Sequence, residues 1–307
     1  MLVHISFIHR LAAHRERACD IAVGVHTRSL GWFRNNTQGT AMTNQTRSNP
    51  VTQQWHEPQR ELRYYPPLTL VAPQAHANHL LAAMHAAGWK NCLSQLEYVP
   101  MPLGQVLYES GRSLSHIFFP TTAIVSLFYL CENGSSAVSA LTGSEGVVGL
   151  PLLMGGGSRA INASVLRAGH GFRLRAQVMK DEFNSHSPLL HLFMRHTLAL
   201  ITQIMQTAAC NRHHSVDQQL ARWLLMSLDR SESRELAMTH ELIATALGVR
   251  REGITAAALK LQAAGVIRYA RGRITVLNRP ALERLSCECY AVVKTEYDRL
   301  LPDSMTV

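Results

Sequence analysis

Lysine, acidic residues and aromatics are all scarce in this 307-residue chain. Lys90, Lys180, Lys260 and Lys294 are the lysines among 30 basic residues, so the positive charge is nearly all arginine. With 21 acids the formal net charge is +9 and the isoelectric point lies near 9.6, a balance that favours anionic partners. Long apolar runs are missing. The longest stretches free of both charged residues and histidine, 117–131 and 197–211, fall short of the roughly 18–20 apolar residues that span a bilayer and contain Pro120 or polar residues. The chain reads as soluble, with no membrane partner. The six cysteines, at 19, 92, 131, 210, 287 and 289, form neither a disulfide framework nor a zinc spacing, which suits a reducing cytoplasm. Enzyme signatures are absent as well: there is no GxxxxGK[ST] loop, no GxGxxG after a strand, no HExxH and no GxSxG. The sequence therefore implies no catalytic residue, no cofactor and no metal. Only Gly155, Gly156 and Gly157 with Arg159 keep an enzyme reading open, as a conceivable phosphate cradle.

The first 75 residues lack sustained periodicity. Residues 35–50 are rich in Asn, Thr, Gln and Ser, and the first 25 are interleaved with His and Arg, without the apolar core of a secretory signal. We read 1–75 as a disordered or mis-started N-terminal extension, with Met42 as an alternative start; peptides from residues 1–41 in the native protein would reject that start.

What is present concentrates in residues 239–276. Thr239 can cap a helix over 239–247 whose Ile243 and Leu247 share a face, Glu241 suits its positive end, and Gly248 supplies a sharp turn. A second helix over 250–264 places Ile254, Ala257, Ala258 and Leu261 on a buried stripe, leaving Arg251, Glu252, Thr255 and Ala256 outward. Gly265 ends it, and 266–269 and 273–276 alternate like two strands across Ala270, Arg271 and Gly272. From 250 to 279 there are seven basic residues and one acid. This is the outline of a winged helix-turn-helix, with an Arg-Arg-Glu turn suited to a DNA major groove and Arg271 and Arg273 on the wing. The bland alternative is a helix pair inside an ordinary helical domain, its arginines merely solvated.

Upstream, a helix is expected over 76–90. From 96 to about 178 short alternating runs follow, at 106–108, 116–119, 124–130, 137–141, 163–166 and 171–174, separated by glycine-bearing turns. Many short strands imply a β-roll or barrel. Residues 188–213 form a long amphipathic helix in which Leu189, Phe193, Thr197, Leu200, Ile204 and Ala208 approximate a heptad seam; packing only on its own roll is the alternative to a dimer contact. A helix over 216–228 opens the C-terminal domain. A last one begins near Asn278 and Pro280 and carries Leu282, Leu285 and Val292 toward the core. Cys287 and Cys289 on that helix would point to different faces, as packed thiols rather than a redox switch.

The run from Thr239 to Thr255, Thr-His-Glu-Leu-Ile-Ala-Thr-Ala-Leu-Gly-Val-Arg-Arg-Glu-Gly-Ile-Thr, resembles the Crp/Fnr superfamily of bacterial transcription regulators, and the resemblance extends from about His76 to the C-terminus. It implies an α+β chain: a cyclic-nucleotide-binding-like β-roll sensor of the double-stranded β-helix or jelly-roll type over 76–187, a dimerisation helix over 188–213 and a winged helix-turn-helix over 214–307. It implies that Arg251 and Glu252 read base edges, that Ala256, in place of a third polar contact, touches only a thymine methyl, and that Thr239, His240 and Arg250 orient toward phosphates while Thr255, Arg271 and Arg273 add to the DNA surface. The partners it implies are promoter DNA bearing an inverted repeat, a second copy in a homodimer, RNA polymerase and a small-molecule effector. In nucleotide-binding members a Gly-Glu pair holds the ribose and an Arg before Ser-Ala or Thr-Ala neutralises the phosphate. Here Glu145 precedes Gly146 and Val147 follows it, with Arg159 the nearby cation, so Glu145, Gly146 and Arg159 are effector-pocket candidates for something other than cyclic AMP. The family's iron–sulfur type needs closely clustered N-terminal cysteines, and Cys19 and Cys92, like Cys131 after them, stand far apart; haem ligands such as His116 or His170 carry little information among 16 histidines. The contrasting reading is a stand-alone sensor that regulates a partner protein, which leaves the arginine-rich wing unexplained.

Overall fold

The structure, a computed structural model, describes residues 75–111, 115–154, 161–185, 187–231 and 233–301. Residues 1–74, and with them Met42 and Cys19, lie outside the described residues, as do Arg159 and the glycines at 155–157. The expected first helix is split. Asn78 caps α1 (His79–Ala86) through its side chain, Gly88 turns the chain at φ +81°, and α2 (Lys90–Leu93) follows.

Seven strands then build two antiparallel sheets. β1 (Glu97–Met101), β7 (Gly169–Arg175) and β3 (His116–Pro120) form one, in the order β1-β7-β3; β2 (Val106–Tyr108), β6 (Asn162–Arg167), β4 (Ile124–Leu130) and β5 (Ser136–Thr142) form the other, in the order β2-β6-β4-β5. Their inward side chains, among them Phe119, Phe172, Val165 and Leu141, share one core. The sequence reading found six of these strands and missed β1, which contains Pro100. At the edge of a sheet a proline costs no ladder bond, so the strand survives a residue that argues against it in isolation. After a single-turn α3 (Leu150–Leu153) and β6–β7, the chain turns helical at residue 176, earlier than expected, as α4 (Ala176–Ser185).

The long helix α5 (Ser187–His213) runs 27 residues, roughly 40 Å at 1.5 Å per residue. It stops because Ser215 opens the next helix with a capping box: its hydroxyl accepts from Gln218 N–H and the Gln218 side chain accepts from Ser215 N–H. Leu189, Phe193 and Leu200 of the expected seam are buried against the chain's own core and Thr197 is half-buried, whereas Ile204 and Ala208 of the same seam are exposed, as are Leu190, Met194, Leu198, Ile201 and Met205. The helix is apolar on two faces, and the seam read from the sequence passes from the inward face in its first half to the outward one near its end.

The C-terminal part comprises α6 (Val216–Asp229), β8 (Glu235–Ala237), α7 (His240–Leu247), α8 (Arg251–Ala263), β9 (Ile267–Ala270), β10 (Arg273–Val276), α9 (Arg279–Leu285) and α10 (Glu288–Leu300). β8 pairs with β10 to make a three-stranded wing sheet, β8-β10-β9; three residues are too few to show a period in sequence. The expected single last helix is two. Ser286 and Cys287 are extended, α10 restarts after them, and Leu285 and Val292 are exposed rather than turned to the core, where Leu282 does lie. Among the described residues no helix is long and apolar enough to cross a membrane.

Candidate nucleic-acid interface

The helix-turn-helix is built as its residues dictate. Thr239 caps α7 by accepting from Leu242 N–H at 3.1 Å, and Gly248 closes it in the left-handed conformation at φ +67°, next to Ala137 of β5. Ile254, Ala257, Ala258 and Leu261 of α8 are all buried, which turns Arg251, Glu252 and Ala256 to solvent. Arg250 occupies the cap position of α8 without a side-chain capping bond. Gly253 N–H bonds back to the Arg250 carbonyl at 3.0 Å, and no capping side chain takes the N–H groups ahead of it. Arg251 is 66% exposed, and its one carboxylate neighbour, Glu241, is 3.8 Å away, an exposed contact too weak to hold the guanidinium.

His240, expected to face a phosphate, is instead buried beneath this surface. Its ring stacks on Tyr269 of β9 with centroids 4.0 Å apart, and Nδ1 lies 3.1 Å from the Thr255 hydroxyl, which itself donates to the Arg251 carbonyl. Burial, and then the Arg251 charge, push its pKa down, which favours the neutral ring. His240 and Thr255 therefore fix α7, α8 and the wing to one another. Gln262 adds to this by accepting from Tyr269 N–H at 2.9 Å, and Lys260 ties α8 to Asp217 of α6 at 2.7 Å.

At the wing tip Arg271 and Gly272 both have positive φ, +50° and +76°, the pair of left-handed residues that closes a two-residue hairpin in register with the strand twist. Arg271 is exposed there. Arg273 is also exposed but lies 2.6 Å from Glu235 across the wing sheet.

The sensor-side candidates lie elsewhere, in the 143–148 loop that follows β5. Glu145 accepts from Arg230 Nε at 2.6 Å and from Gly143 N–H at 3.0 Å. Arg230 also donates to Met226 O at 2.9 Å and stands over the Tyr297 ring at 5.5 Å. Tyr297 in turn meets Gln203 of α5, whose amide bonds both the N–H and the C=O of Leu141 at 3.0 Å. Gly146 is sealed: an added Cβ would come 2.2 Å from His196 Nε2, and its carbonyl accepts from Asn78 Nδ2 at 2.9 Å. Glu145 borders a cleft of about 480 Å³ shared with Asp229, Arg230, Arg279, Tyr290 and Lys294, between the roll and the C-terminal helices rather than inside the roll. The sequence reading did not find Arg230, Gln203 or Tyr297. For Gln203 the available signal was a polar residue in a stretch that is otherwise apolar; Arg230 and Tyr297 lie in polar stretches that carry no such signal.

Residues 218–285 match the model of the Crp-like helix-turn-helix domain. No curated protein matches the chain. Solved structures of similar fold include a transcriptional regulator of the Crp/Fnr family from Eubacterium rectale (20% identity, TM-score 0.54, covering 65% of this chain and 93% of that one). They include FixK2 from Bradyrhizobium japonicum (16%, TM-score 0.55, 62% and 98%) and a CRP-family transcriptional regulator from Thermus thermophilus (20%, TM-score 0.51, 62% and 96%). The chain thus carries a Crp-like helix-turn-helix domain over residues 218–285, and its described residues share the fold of these Crp/Fnr-family regulators.

Proposed function

We propose that the protein binds an inverted repeat in promoter DNA as a homodimer, where RNA polymerase is its functional partner, under control of a small molecule other than cyclic AMP. The observation that carries the reading is the exposed first turn of α8: Arg251 and Glu252 face solvent on a helix whose other side is buried, with the Arg271 tip beside it. Arg251 and Glu252 read base edges; Thr239, Arg250, Arg271 and Arg273 meet phosphates; His240 and Thr255 hold the reading helix in place. The outward stripe of α5 packs against its copy, setting two reading helices about one DNA turn, roughly 34 Å, apart. Effector control runs through the roll. Against cyclic AMP stand the buried Val147, where a sugar-binding carboxylate is needed, and the commitment of Glu145 to Arg230. The stand-alone sensor has no use for an arginine-tipped wing.

The test is selection of genomic DNA fragments on the full-length protein in moderate salt, with and without cyclic AMP. Recovery of an inverted repeat, unaffected by the nucleotide, is expected; nucleotide dependence would overturn the reading of Val147. Replacing Arg251 by Ala should weaken binding to the selected site by about 1–3 kcal/mol, and undiminished binding would mean the reading helix is misplaced.

A further inference from the structure

Four metal-ligating side chains meet where the long helix ends. Cys210 stands on the last turn of α5 and His214 just past it, while Cys287 and Cys289 flank the first residue of α10, and their ligating atoms all lie within 4.8 Å of one another. Cys210 Sγ is 3.5 Å from Cys287 Sγ, and Cys289 Sγ is 3.5 Å from His214 Nδ1. A tetrahedral zinc ion with Zn–S of about 2.3 Å and Zn–N of about 2.0 Å sets sulfurs roughly 3.8 Å apart and sulfur from nitrogen roughly 3.5 Å. Two edges are therefore at about the required length, and the longest closes with roughly an ångström of side-chain adjustment. The thiols are buried, yet they sit apart from the main apolar core, as a cluster of their own.

Two neighbours point to a charged occupant. The far nitrogen of His214, Nε2, lies 3.2 Å from Glu288 Oε1, the carboxylate arrangement that holds a metal-bound imidazole in one tautomer. Arg222 is 2% exposed, its Nη2 donates to the neutral Thr207 hydroxyl at 2.7 Å, its Nε has no partner, and no carboxylate pairs with it among the described residues. A permanently charged guanidinium in that position requires an anion nearby. Three thiolates around a divalent cation carry a net charge of −1, which Arg222 offsets.

We propose that Cys210, His214, Cys287 and Cys289 form a Cys₃His site for a thiophilic divalent cation of the zinc class. Loading exchanges the three thiol protons, released to solvent, for the cation, without any redox step. The site clamps the C-terminal end of α5 to the α9–α10 corner across the α5–α6 joint, the joint through which the DNA-binding domain hangs on the long helix. Occupancy thus stiffens the path between dimer helix and reading helix. The sequence offered only a Cys-x-x-x-His pair and a distant Cys-x-Cys pair, and a helix drawn through residue 287 sent the last two thiols to different faces. The break at Ser286–Cys287 brings them to one point.

The experiment uses the full-length chain, purified without a polyhistidine tag, reduced, stripped of metal and titrated with Co²⁺ alone. One Co²⁺ per chain is expected, with the thiolate-to-cobalt charge transfer and intense visible bands of tetrahedral coordination, displaced by one equivalent of Zn²⁺. Cobalt held by surface histidines lacks those bands. Cys287→Ser and Cys289→Ser should each weaken binding at least tenfold, while Cys92→Ser with Cys131→Ser should leave the titration unchanged. Should the cluster variants fail to fold, the wild-type spectrum and stoichiometry still decide. Absence of thiolate bands in the folded, reduced chain overturns the site, as does unchanged binding in folded Cys287→Ser. So would a Cys210–Cys287 disulfide that forms in air in a chain whose reduced form takes no cobalt.

Discussion

Replacing Glu145 by Gln removes one charge from the most enclosed ion pair among the described residues. The side chains of Arg230 and Glu145 are 5% and 15% exposed, and the guanidinium has only Met226 O and the Tyr297 face besides. Breaking such a pair from one side typically costs about 3–5 kcal/mol, because the remaining charge stays buried without a counter-charge. Glu145 meets Arg230 through Oε1 and Gly143 N–H through Oε2, and the single amide oxygen of the substituted side chain can keep only one of these bonds while its NH2 faces the other donor, so the loss should fall within that range, about 4 kcal/mol. The pair joins the loop after β5 to the end of α6, so the loss should appear first as release of the C-terminal domain from the roll. Equilibrium urea unfolding followed by circular dichroism measures the total, and amide hydrogen exchange over residues 143–148 and 226–231 locates it. Adding Arg230→Met should then restore at least about 1 kcal/mol, since an apolar side chain of similar length leaves no stranded charge. A Glu145→Gln protein within about 0.5 kcal/mol of wild type would refute the reasoning, and would mean that water reaches the pair.

Further predictions concern pH, the wing and the long helix. Burial, opposed by the Glu145 charge and reinforced by that of Arg230, lowers the His196 pKa to about 4 from 6.5, so the unfolded chain takes up a proton first as pH falls. The resulting stability is fully present above pH 6.5 and about 3 kcal/mol of it is lost between pH 6.5 and 4; His196→Gln should flatten that limb, and parallel curves for the two proteins would contradict the assignment. Arg271→Asn relieves a left-handed backbone of its unfavourable side chain, raising thermal stability by up to about 1 kcal/mol while reducing the salt dependence of DNA binding by about one phosphate contact. An unchanged salt slope would remove Arg271 from the DNA surface. Ile201→Glu on the outward stripe of α5 should convert dimers to folded monomers in light scattering at micromolar concentration; an intact dimer would place the interface elsewhere.

The helix-turn-helix was legible in the sequence because its information is local. A cap at Thr239, a glycine at 248, an apolar stripe from Ile254 to Leu261 and the Arg271-Gly272 turn each specify backbone within a few residues, and the strands of the roll alternate strongly enough to be found one by one. Elements that depend on a partner were not legible. β1 survives Pro100 because it lies at a sheet edge, and β8 exists because β10 offers it a ladder. The burial of His240 was decided by the wing folding over it, and the commitment of Glu145 by an arginine 85 residues away. The sequence by itself thus determined which module is the winged helix-turn-helix and which turn of which helix presents Arg251 and Glu252. The tertiary structure alone decided which face of α5 is left outward, and that Cys210, His214, Cys287 and Cys289 meet. Burial and electrostatic pairing depend on what comes near in space, and local spacing carries no record of a neighbour tens of residues away.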